Sequence, residues 1–295
     1  MKTFVLVVTV LVLGSLTFAQ QAGTSNAKRE QQAAAASAQS LLAHASARSP
    51  FATSACSFPF TSGAADSFVK YCVTANGNIT QLETPQFHEH IAAGVFAEGY
   101  GVCDATTGVE YFDYADFGDS GNWGAPQIAT QSATLVKLVR TTADGVWTLT
   151  QNITMVPGAS PSIKVAMALR NNSTVDRTAL LMRYADIDAN SGFVNSLGAT
   201  ANSAFGWDPT AFANIGARGN FGVTLQADAL PQPHAPDLGP LGFTQFGPAG
   251  PAPCNPYAQM LAGLNTAGDG SVVAIYQLAV AKKAAKNVSL NYKGM

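Results

Sequence analysis

Hydrophobic and polar residues alternate along much of the chain after residue 50, and this alternation predicts β-strands. The clearest case is 146–155, where Trp147, Leu149 and Ile153 are separated by polar Thr, Gln and Asn residues. A period of two places the apolar side chains on one buried face and the polar side chains on the other. Further strands are predicted at 68–74, 77–83, 87–93, 98–103, 109–114, 132–141, 163–169, 177–187, 221–227, 271–280 and 286–292.

Three of these segments follow one another closely and are expected to be neighbours in an antiparallel sheet. They are 146–155, 163–169 and 177–187, and a turn-forming sequence at 171–173 separates the last two. No segment in this part of the chain shows a long helical period. The pattern therefore predicts an all-β fold, a large antiparallel β-sandwich or super-sandwich that forms a single domain over 51–295.

The N-terminus is typical of a secretory signal peptide. Lys2 precedes a largely apolar run of ten residues from Phe4 to Leu13, and a segment that contains Gly14, Ser15 and Ala19 follows. We therefore predict that residues 1–19 are a signal peptide cleaved after Ala19, and that the mature protein is secreted, either extracellular or periplasmic. The apolar run is too short for a membrane span, which needs about 20 residues.

Residues 20–50 are rich in Ala, Gln and Ser and contain almost no large side chains. Such a segment buries too little apolar surface to offset the entropy cost of ordering it, so a disordered tail or spacer is predicted. Its alanines leave a frayed helix as the alternative.

Composition and charge restrict the class of protein further. Charged residues make up 12% of the chain and hydrophobic residues 47%, whereas charged residues are roughly 25% of an average domain. A packed core is therefore expected, and a coiled coil or a wholly disordered chain is excluded. A formal net charge of −2 without a cluster of Lys and Arg argues against nucleic acid as a partner.

The four cysteines predict two disulfides, because an even number in an exported protein is usually paired. If 56–60 and 68–72 form a hairpin centred on Ala64, Cys56 faces Cys72 across the strands. We therefore predict the pairs Cys56–Cys72 and Cys103–Cys254. A metal site is disfavoured because no C-x-x-C spacing occurs.

The segment from Asp228 to Tyr257 contains eight prolines and four glycines. This composition predicts a long irregular loop tethered near one end by Cys254. Loops of this length often bind ligands, although a rigid cover over a sheet edge is an equal alternative.

One part of the chain is both acidic and aromatic. The 66 residues between Lys70 and Lys137 contain eight acidic residues and no Lys or Arg, and seven aromatic residues overlap this stretch between Phe96 and Trp123. Rings stack on the apolar faces of sugars while carboxylates bind the hydroxyls, so a glycan-binding surface is predicted here. The alternative places the rings in the core and the acids in solvated turns. The residues assigned to ligand binding are Tyr100, Tyr111, Asp113, Tyr114, Asp116 and Trp123.

Two further groups of residues suggest metal binding. Asp186, Asp188 and Asn190 place oxygen ligands at alternate positions, which is compatible with a structural calcium ion as a cofactor. The match to an EF-hand loop is partial, and capping of a turn is the alternative. His88 and His90 lie on one face if 87–93 is a strand, so they are candidates for chelating zinc or iron, with hydrogen-bonded histidines as the alternative.

Several segments resemble a group of exported bacterial proteins that carry no assigned function. These segments are Cys72 to Thr80 (CVTANGNIT), Glu98 to Tyr100 (EGY), Tyr114 to Trp123, and Arg183 to Asp188 (RYADID). The resemblance implies a bacterial secreted protein and brings no catalytic residues. The long strands with the Asn171-Asn172-Ser173 turn also resemble, as a fold, the super-sandwiches of the galactose-mutarotase type, which commonly handle carbohydrate.

Three hypotheses for the function follow. The first is a non-catalytic extracellular module that binds a glycan or another cell-surface polymer through 96–123, with the 228–257 loop nearby. The second is a carbohydrate-active enzyme with two carboxylates about 5–9.5 Å apart, drawn from Glu98, Asp113, Asp116, Asp186 and Asp188. The third is a structural protein of the cell envelope without a ligand.

Overall fold

The computed structural model describes residues 55–92, 98–192, 195–199, 203–208, 222–227, 241–244, 252–255, 260–261, 264–268 and 271–294. The predicted signal peptide and spacer, residues 1–50, lie outside these ranges. Among the residues that are described, no helix has the length and hydropathy of a membrane span. The strands are β1 (Phe58–Ser62), β2 (Val69–Val73), β3 (Ile79–Glu83), β4 (Glu98–Asp104), β5 (Val109–Asp113), β6 (Gln127–Gln131), β7 (Leu135–Thr141), β8 (Trp147–Val156), β9 (Ser162–Asn171), β10 (Arg177–Asp186), β11 (Asn195–Ala199), β12 (Ser203–Trp207), β13 (Gly222–Ala227), β14 (Leu241–Thr244), β15 (Met260–Leu261), β16 (Leu264–Gly268), β17 (Ser271–Val280) and β18 (Ala285–Gly294).

The strands form three antiparallel sheets. A small sheet has the order β1-β2-β3, a six-stranded sheet has the order β15-β14-β17-β10-β4-β5, and a nine-stranded sheet has the order β16-β11-β12-β13-β18-β9-β8-β7-β6. Three short 3-10 turns, at Ala65–Ser67, Ala115–Phe117 and Ala189–Ser191, complete the described secondary structure.

The two large sheets pack against each other through their apolar faces, as the alternation predicts. On β8 the residues Trp147, Leu149 and Ile153 are fully buried, and the polar Gln151 is buried on the same face. Thr148, Thr150 and Asn152, which alternate with them, are half-buried. One hydrophobic cluster includes these side chains together with Val102 and Leu181 of the six-stranded sheet. Burial of a large apolar side chain contributes about 1.5–3 kcal/mol. The predicted all-β sandwich is therefore confirmed.

The three consecutive strands predicted for one sheet are divided between two. β8 and β9 are antiparallel neighbours, but β9 pairs next with β18, whereas β10 lies between β4 and β17 in the other sheet. The Asn171 amide donates to Val175 O (2.8 Å) and Val280 O (3.1 Å), which fixes the connection that crosses between the sheets. The predicted pairing of β9 with β10 is wrong because turn-forming residues serve hairpins and sheet-to-sheet crossings equally well.

The predicted strand at 87–93 is also wrong over its described residues. Only Glu89 forms an isolated bridge, to Glu83. Thr84 N donates to His88 O (2.9 Å), and Phe87 adopts a positive φ of 74°, so the chain turns back on itself here. The Glu89 carboxylate accepts hydrogen bonds from the backbone of Leu82, Ile91 and Ala92, which occupies backbone donors that a strand would offer to a neighbour.

Both predicted disulfides are present, Cys56–Cys72 with a Cα–Cα distance of 5.6 Å and Cys103–Cys254 with one of 4.8 Å. The predicted hairpin register is wrong by three residues, because Pro59 rather than Cys56 is opposite Cys72. The 3-10 turn at Ala65–Ser67 moves the centre of the hairpin toward the C-terminus. Cys56 therefore reaches its partner from the segment that precedes β1.

The predicted irregular loop between Asp228 and Tyr257 contains a strand. β14 pairs with β17 and β15 at Leu241–Thr244, which corrects the prediction for these residues. A four-residue segment between prolines is too short for alternation to reveal it. The Cys103–Cys254 disulfide joins this segment to β4, and Cys254 N also donates to Glu110 Oε1 (2.7 Å).

Candidate functional site

A buried turn between β2 and β3 organises the polar interior of the sandwich. Its sequence, Thr74 to Asn78, contains the Asn-Gly pair that favours a tight turn, and Gly77 has a φ of +95°. Thr74 Oγ1 accepts hydrogen bonds from the backbone of Asn76 and Asn78, both at 3.2 Å. Asn76 and Asn78 are fully buried. The turn thus carries two amide side chains and its own carbonyls into the core.

The first of two buried ion-pair centres, the Glu98 centre, consists of Glu98, Arg183, Gln151, Tyr292 and Gly77. Arg183 binds the Glu98 carboxylate through Nε (2.5 Å) and Nη2 (2.9 Å). Its remaining donors bind Gln151 Oε1 (2.6 Å) and Gly77 O (3.0 Å). Tyr292 Oη and Ile79 N also donate to the carboxylate. Every polar group of this centre is paired, although no side chain of the ion pair reaches solvent.

The electrostatics of the Glu98 centre are dominated by burial. Burial raises the pKa of the Glu98 carboxyl, while Arg183 and the hydrogen bonds oppose this rise. Although burial lowers the pKa of Arg183, the Glu98 carboxylate outweighs this effect and raises it. The arginine therefore stays charged and needs a carboxylate beside it.

The second centre, the Asp113 centre, consists of Asp113, Arg140, Tyr100, Asn76 and Asp119. Arg140 Nη1 donates to Asp113 Oδ2 (2.6 Å) and to Tyr100 Oη (2.8 Å). Asn76 Nδ2 donates to Asp113 Oδ2 (2.7 Å), and Tyr100 Oη donates to the carbonyl of Asn76 (2.9 Å). β7 of the nine-stranded sheet supplies Arg140, and β5 and β4 of the six-stranded sheet supply Asp113 and Tyr100. The centre thus links the two sheets.

The Asp113 centre differs from the first by a second carboxyl group and by incomplete pairing. Asp119 is fully buried, and burial followed by the charge of Asp113 raises its pKa from 3.8 to about 7. Among the described residues, three buried polar atoms of this centre and its neighbour Trp123 have no standard hydrogen-bond partner: Asp119 Oδ2, Arg140 Nη2 and Trp123 Nε1. When Asp119 is protonated, its hydroxyl can donate a hydrogen bond to Asp113, so one of these atoms gains a partner.

Most of the residues predicted to bind a ligand lie in the interior. Tyr100, Tyr111, Tyr114 and Trp123 are at most 2% exposed. Tyr100 and Tyr111 meet Trp123 edge-on at 5.5 and 6.1 Å. Asp113 is fully buried and only Asp116 is exposed. The structure therefore corrects the expectation that these rings present an exposed stacking surface. Tyr100, Tyr111 and Trp123 pack on one another in the main core, and Tyr114 packs on Phe112 and Tyr184 in a separate buried cluster.

The predicted metal ligands have other hydrogen-bond partners. Asp186 Oδ1 accepts from Ser271 Oγ (2.9 Å), and the Asn190 amide binds His88 Nδ1 (2.7 Å) and Asp208 Oδ2 (3.1 Å). Over the described part of the chain, no group of three or more His, Cys, Asp or Glu side chains is arranged to hold a metal. The calcium site at Asp186, Asp188 and Asn190 therefore stays a prediction without support from this geometry.

The two histidines do not form a chelating pair. His90 is fully buried; its Nε2 lies 2.7 Å from Thr84 O, and its Nδ1 accepts from Asn190 N (3.2 Å). Both ring nitrogens are thus occupied by the backbone, and burial lowers the pKa of His90 to about 4. The alternative of hydrogen-bonded histidines applies, because the segment turns instead of running as a strand.

The residues that neutralise the buried acids were not predicted from the sequence. Arg140 occupies the third inward position of β7, after Val136 and Leu138, and this break in an apolar alternation was a usable signal. Arg183 lies in a nearly continuous buried run of β10, which has no alternation to interrupt. Asn76 and Asn78 lie in the segment Cys72 to Thr80, where two polar side chains on either side of Gly77 give no sign of burial.

Comparisons with known proteins add a likeness of fold. No protein-family model and no curated protein sequence matches the chain. A bacterial glucoamylase complexed with acarbose matches with a TM-score of 0.51 at 12% identity, over 83% of this chain and 33% of its own. The chain thus spans about a third of that glucoamylase, and at this identity the likeness shows the fold alone.

Two further solved structures match less well. A putative aldose 1-epimerase from Escherichia coli K12 has a TM-score of 0.44 at 10% identity, over 81% of this chain and 99% of its own. A copper-containing benzylamine oxidase from Hansenula polymorpha has a TM-score of 0.45 at 8% identity, over 81% of this chain and 61% of its own. TM-scores below 0.5 carry no argument about this chain, so the likeness to galactose-mutarotase-type proteins remains an analogy of fold.

Proposed function

We propose that the protein is an exported, non-catalytic β-sandwich that binds a glycan or another cell-surface polymer. The observation that carries the non-catalytic part is the burial of the candidate catalytic acids. Glu98, Asp113, Asp186 and Asp188 are at most 5% exposed, and the first two are paired with arginines. A glycoside hydrolase needs two carboxyl groups that flank a sugar bond in an open cleft. Only Asp116 of the candidate acids is exposed, and one carboxylate does not make such a pair.

Three observations support export and a carbohydrate ligand. The signal-peptide pattern at residues 1–19 and the two disulfides both agree with an oxidising compartment outside the cytoplasm. The fold likeness to a glucoamylase complexed with acarbose supports a carbohydrate-related role for this chain. Because the likeness covers a third of that enzyme, its catalysis is not part of the proposal.

The experiment is a glycan and polysaccharide array probed with the purified full chain, with and without Ca²⁺, using heat-unfolded protein as the control. Each bound glycan is then incubated with the protein and analysed for cleaved or epimerised products. We expect binding by the folded protein and no product. Product formation would replace the proposal by the enzyme hypothesis, and an empty array would favour the structural protein without a ligand.

A further inference from the structure

The charges of the two large sheets differ in sign. The strands of the nine-stranded sheet contain no Asp or Glu, and their charged residues are six Lys or Arg. The strands of the six-stranded sheet contain five carboxylates, on β4, β5 and β10, against two arginines. The net charge of −2 conceals this separation.

Part of the positive charge lies on the side of the nine-stranded sheet that faces away from the core. On β7, β8 and β9 alternate residues are buried, and the residues between them are partly or fully exposed. Lys137 on β7 and Arg170 on β9 occupy such outward positions, and so does Lys293 on β18. We call the outward side of β7, β8, β9 and β18 the outer face.

The residues between these cations are short and polar. β8 presents Thr148, Thr150, Asn152 and Thr154 outward, so hydroxyl and amide groups run along the centre of the outer face. Lys137 lies opposite Asn152, and Arg170 lies opposite Thr148. From strand spacing and rise, Lys137 and Arg170 are about 17 Å apart along a diagonal. The outer face thus carries separated positive charges with hydrogen-bonding side chains between them.

We propose that the outer face binds an anionic polysaccharide, an extended glycan that carries carboxylate or sulfate groups. The inference rests on the proposed function and adds the class of glycan and the surface that binds it. The absence of any acidic residue from these strands removes the repulsion that an anionic chain would meet elsewhere on the protein. The threonine and asparagine side chains supply donors and acceptors for the sugar hydroxyls.

A nucleic acid fits this surface less well. Single-stranded nucleic acids are held by stacking of bases on aromatic side chains inside a basic groove. The outward positions of β7, β8, β9 and β18 carry no aromatic residue.

The test compares two double variants of the full chain that lose the same charge. Lys137→Gln with Arg170→Gln removes two of the positive charges of the outer face. Lys70→Gln with Lys282→Gln is the matched control, because Lys70 lies on the small sheet and Lys282 on the turn between β17 and β18. Equal melting temperatures establish that all three proteins are folded. The probes are polygalacturonate (carboxylate), dextran sulfate (sulfate), neutral dextran and a single-stranded DNA oligonucleotide, each at low and at high NaCl.

We expect the wild type to bind at least one of the two anionic glycans in a salt-sensitive manner, and the polymer that it prefers identifies the anionic group. The outer-face variant should bind about tenfold more weakly, since two charge contacts of this kind together amount to roughly one power of ten in affinity. The control should stay within about twofold of the wild type.

Other outcomes overturn the inference in distinguishable ways. Equal weakening of both variants would assign the binding to overall charge, and equal affinity for the DNA would assign it to polyanions in general. Binding of neutral dextran or of neutral glycans on the array, without the anionic ones, would reject the anionic ligand and leave the proposed function standing. Binding of no glycan at all would reject both the anionic ligand and the proposed glycan-binding function.

Discussion

The Glu98 centre and the Asp113 centre are built from similar parts, yet they differ in how completely those parts are paired. Each joins a carboxylate of the six-stranded sheet to a buried arginine and a buried tyrosine, and each uses the Thr74–Asn78 turn. In the part of the chain that the structure describes, all donors and acceptors around Glu98 are paired, whereas around Asp113 the Arg140 Nη2 atom has no hydrogen-bond acceptor and Asp119 pairs with Asp113 only when it is protonated. The first centre is therefore a rigid link, and the second is able to gain or lose a proton.

The largest expected effect comes from breaking the fully paired centre. Arg183→Met leaves Glu98 buried without its cation, and removing one partner of a buried ion pair costs about 3–5 kcal/mol. We expect the melting temperature to fall by on the order of 10 °C. Arg140→Met should cost about 2 kcal/mol, because Asp113 keeps the Asn76, Asn78 and Ala115 donors.

Denaturant unfolding of both variants measures this difference. The double variant Glu98→Gln with Arg183→Met is the control. It should recover part of the lost unfolding free energy, since it also removes the unpaired Glu98 carboxylate. Equal losses for Arg183→Met and Arg140→Met would contradict the distinction between the two centres.

The next effect concerns the proton of Asp119. The folded protein keeps this proton up to about pH 7, whereas the unfolded chain releases it near pH 3.8. The stability that it contributes is full below pH 3.8 and is lost as the pH rises through 7. The decline amounts to about 4 kcal/mol, because the pKa differs by about three units and each unit is worth roughly 1.4 kcal/mol. Asp119→Asn keeps the shape of the protonated acid, so this decline should disappear.

The measurement is the free energy of unfolding of the wild type and Asp119→Asn at several values between pH 4.5 and pH 8. The difference between the two proteins is the relevant quantity, because His90, whose pKa is lowered by burial, acts in the opposite direction over part of this range. A difference that does not change with pH would show that Asp119 is ionised in the folded protein.

The smallest effect separates the two tyrosines. Tyr292→Phe removes a donor to the Glu98 carboxylate, and a hydrogen bond to a charged group is worth about 1.5–3 kcal/mol. Tyr100→Phe removes a donor to the neutral carbonyl of Asn76 and one acceptor of Arg140 Nη1, which keeps Asp113 as its other acceptor, and should cost about 1 kcal/mol. Thermal unfolding at one pH is sufficient for this pair. A larger loss of stability for Tyr100→Phe than for Tyr292→Phe would contradict this order of the two tyrosines.

The long strands and both disulfides could be predicted from the sequence because the signals are local or few in number. β8 alternates over its whole length, and four cysteines allow only three pairings. Short strands such as β12 and β14 have too few residues for alternation to be visible. The acidic and aromatic segment was recognised as unusual, but its composition is the same whether the rings are exposed or buried.

The sequence by itself determined the all-β class, the sandwich and the concentration of acids in one segment, since each follows from local pattern or composition. Only the tertiary structure decided that Tyr100, Tyr111, Tyr114 and Trp123 are core residues and that Glu98 and Asp113 have buried arginine partners. The partners are distant in sequence, 85 residues for Glu98 with Arg183 and 27 for Asp113 with Arg140. Burial and charge pairing depend on which strands become neighbours across the sandwich, and no local pattern contains that information.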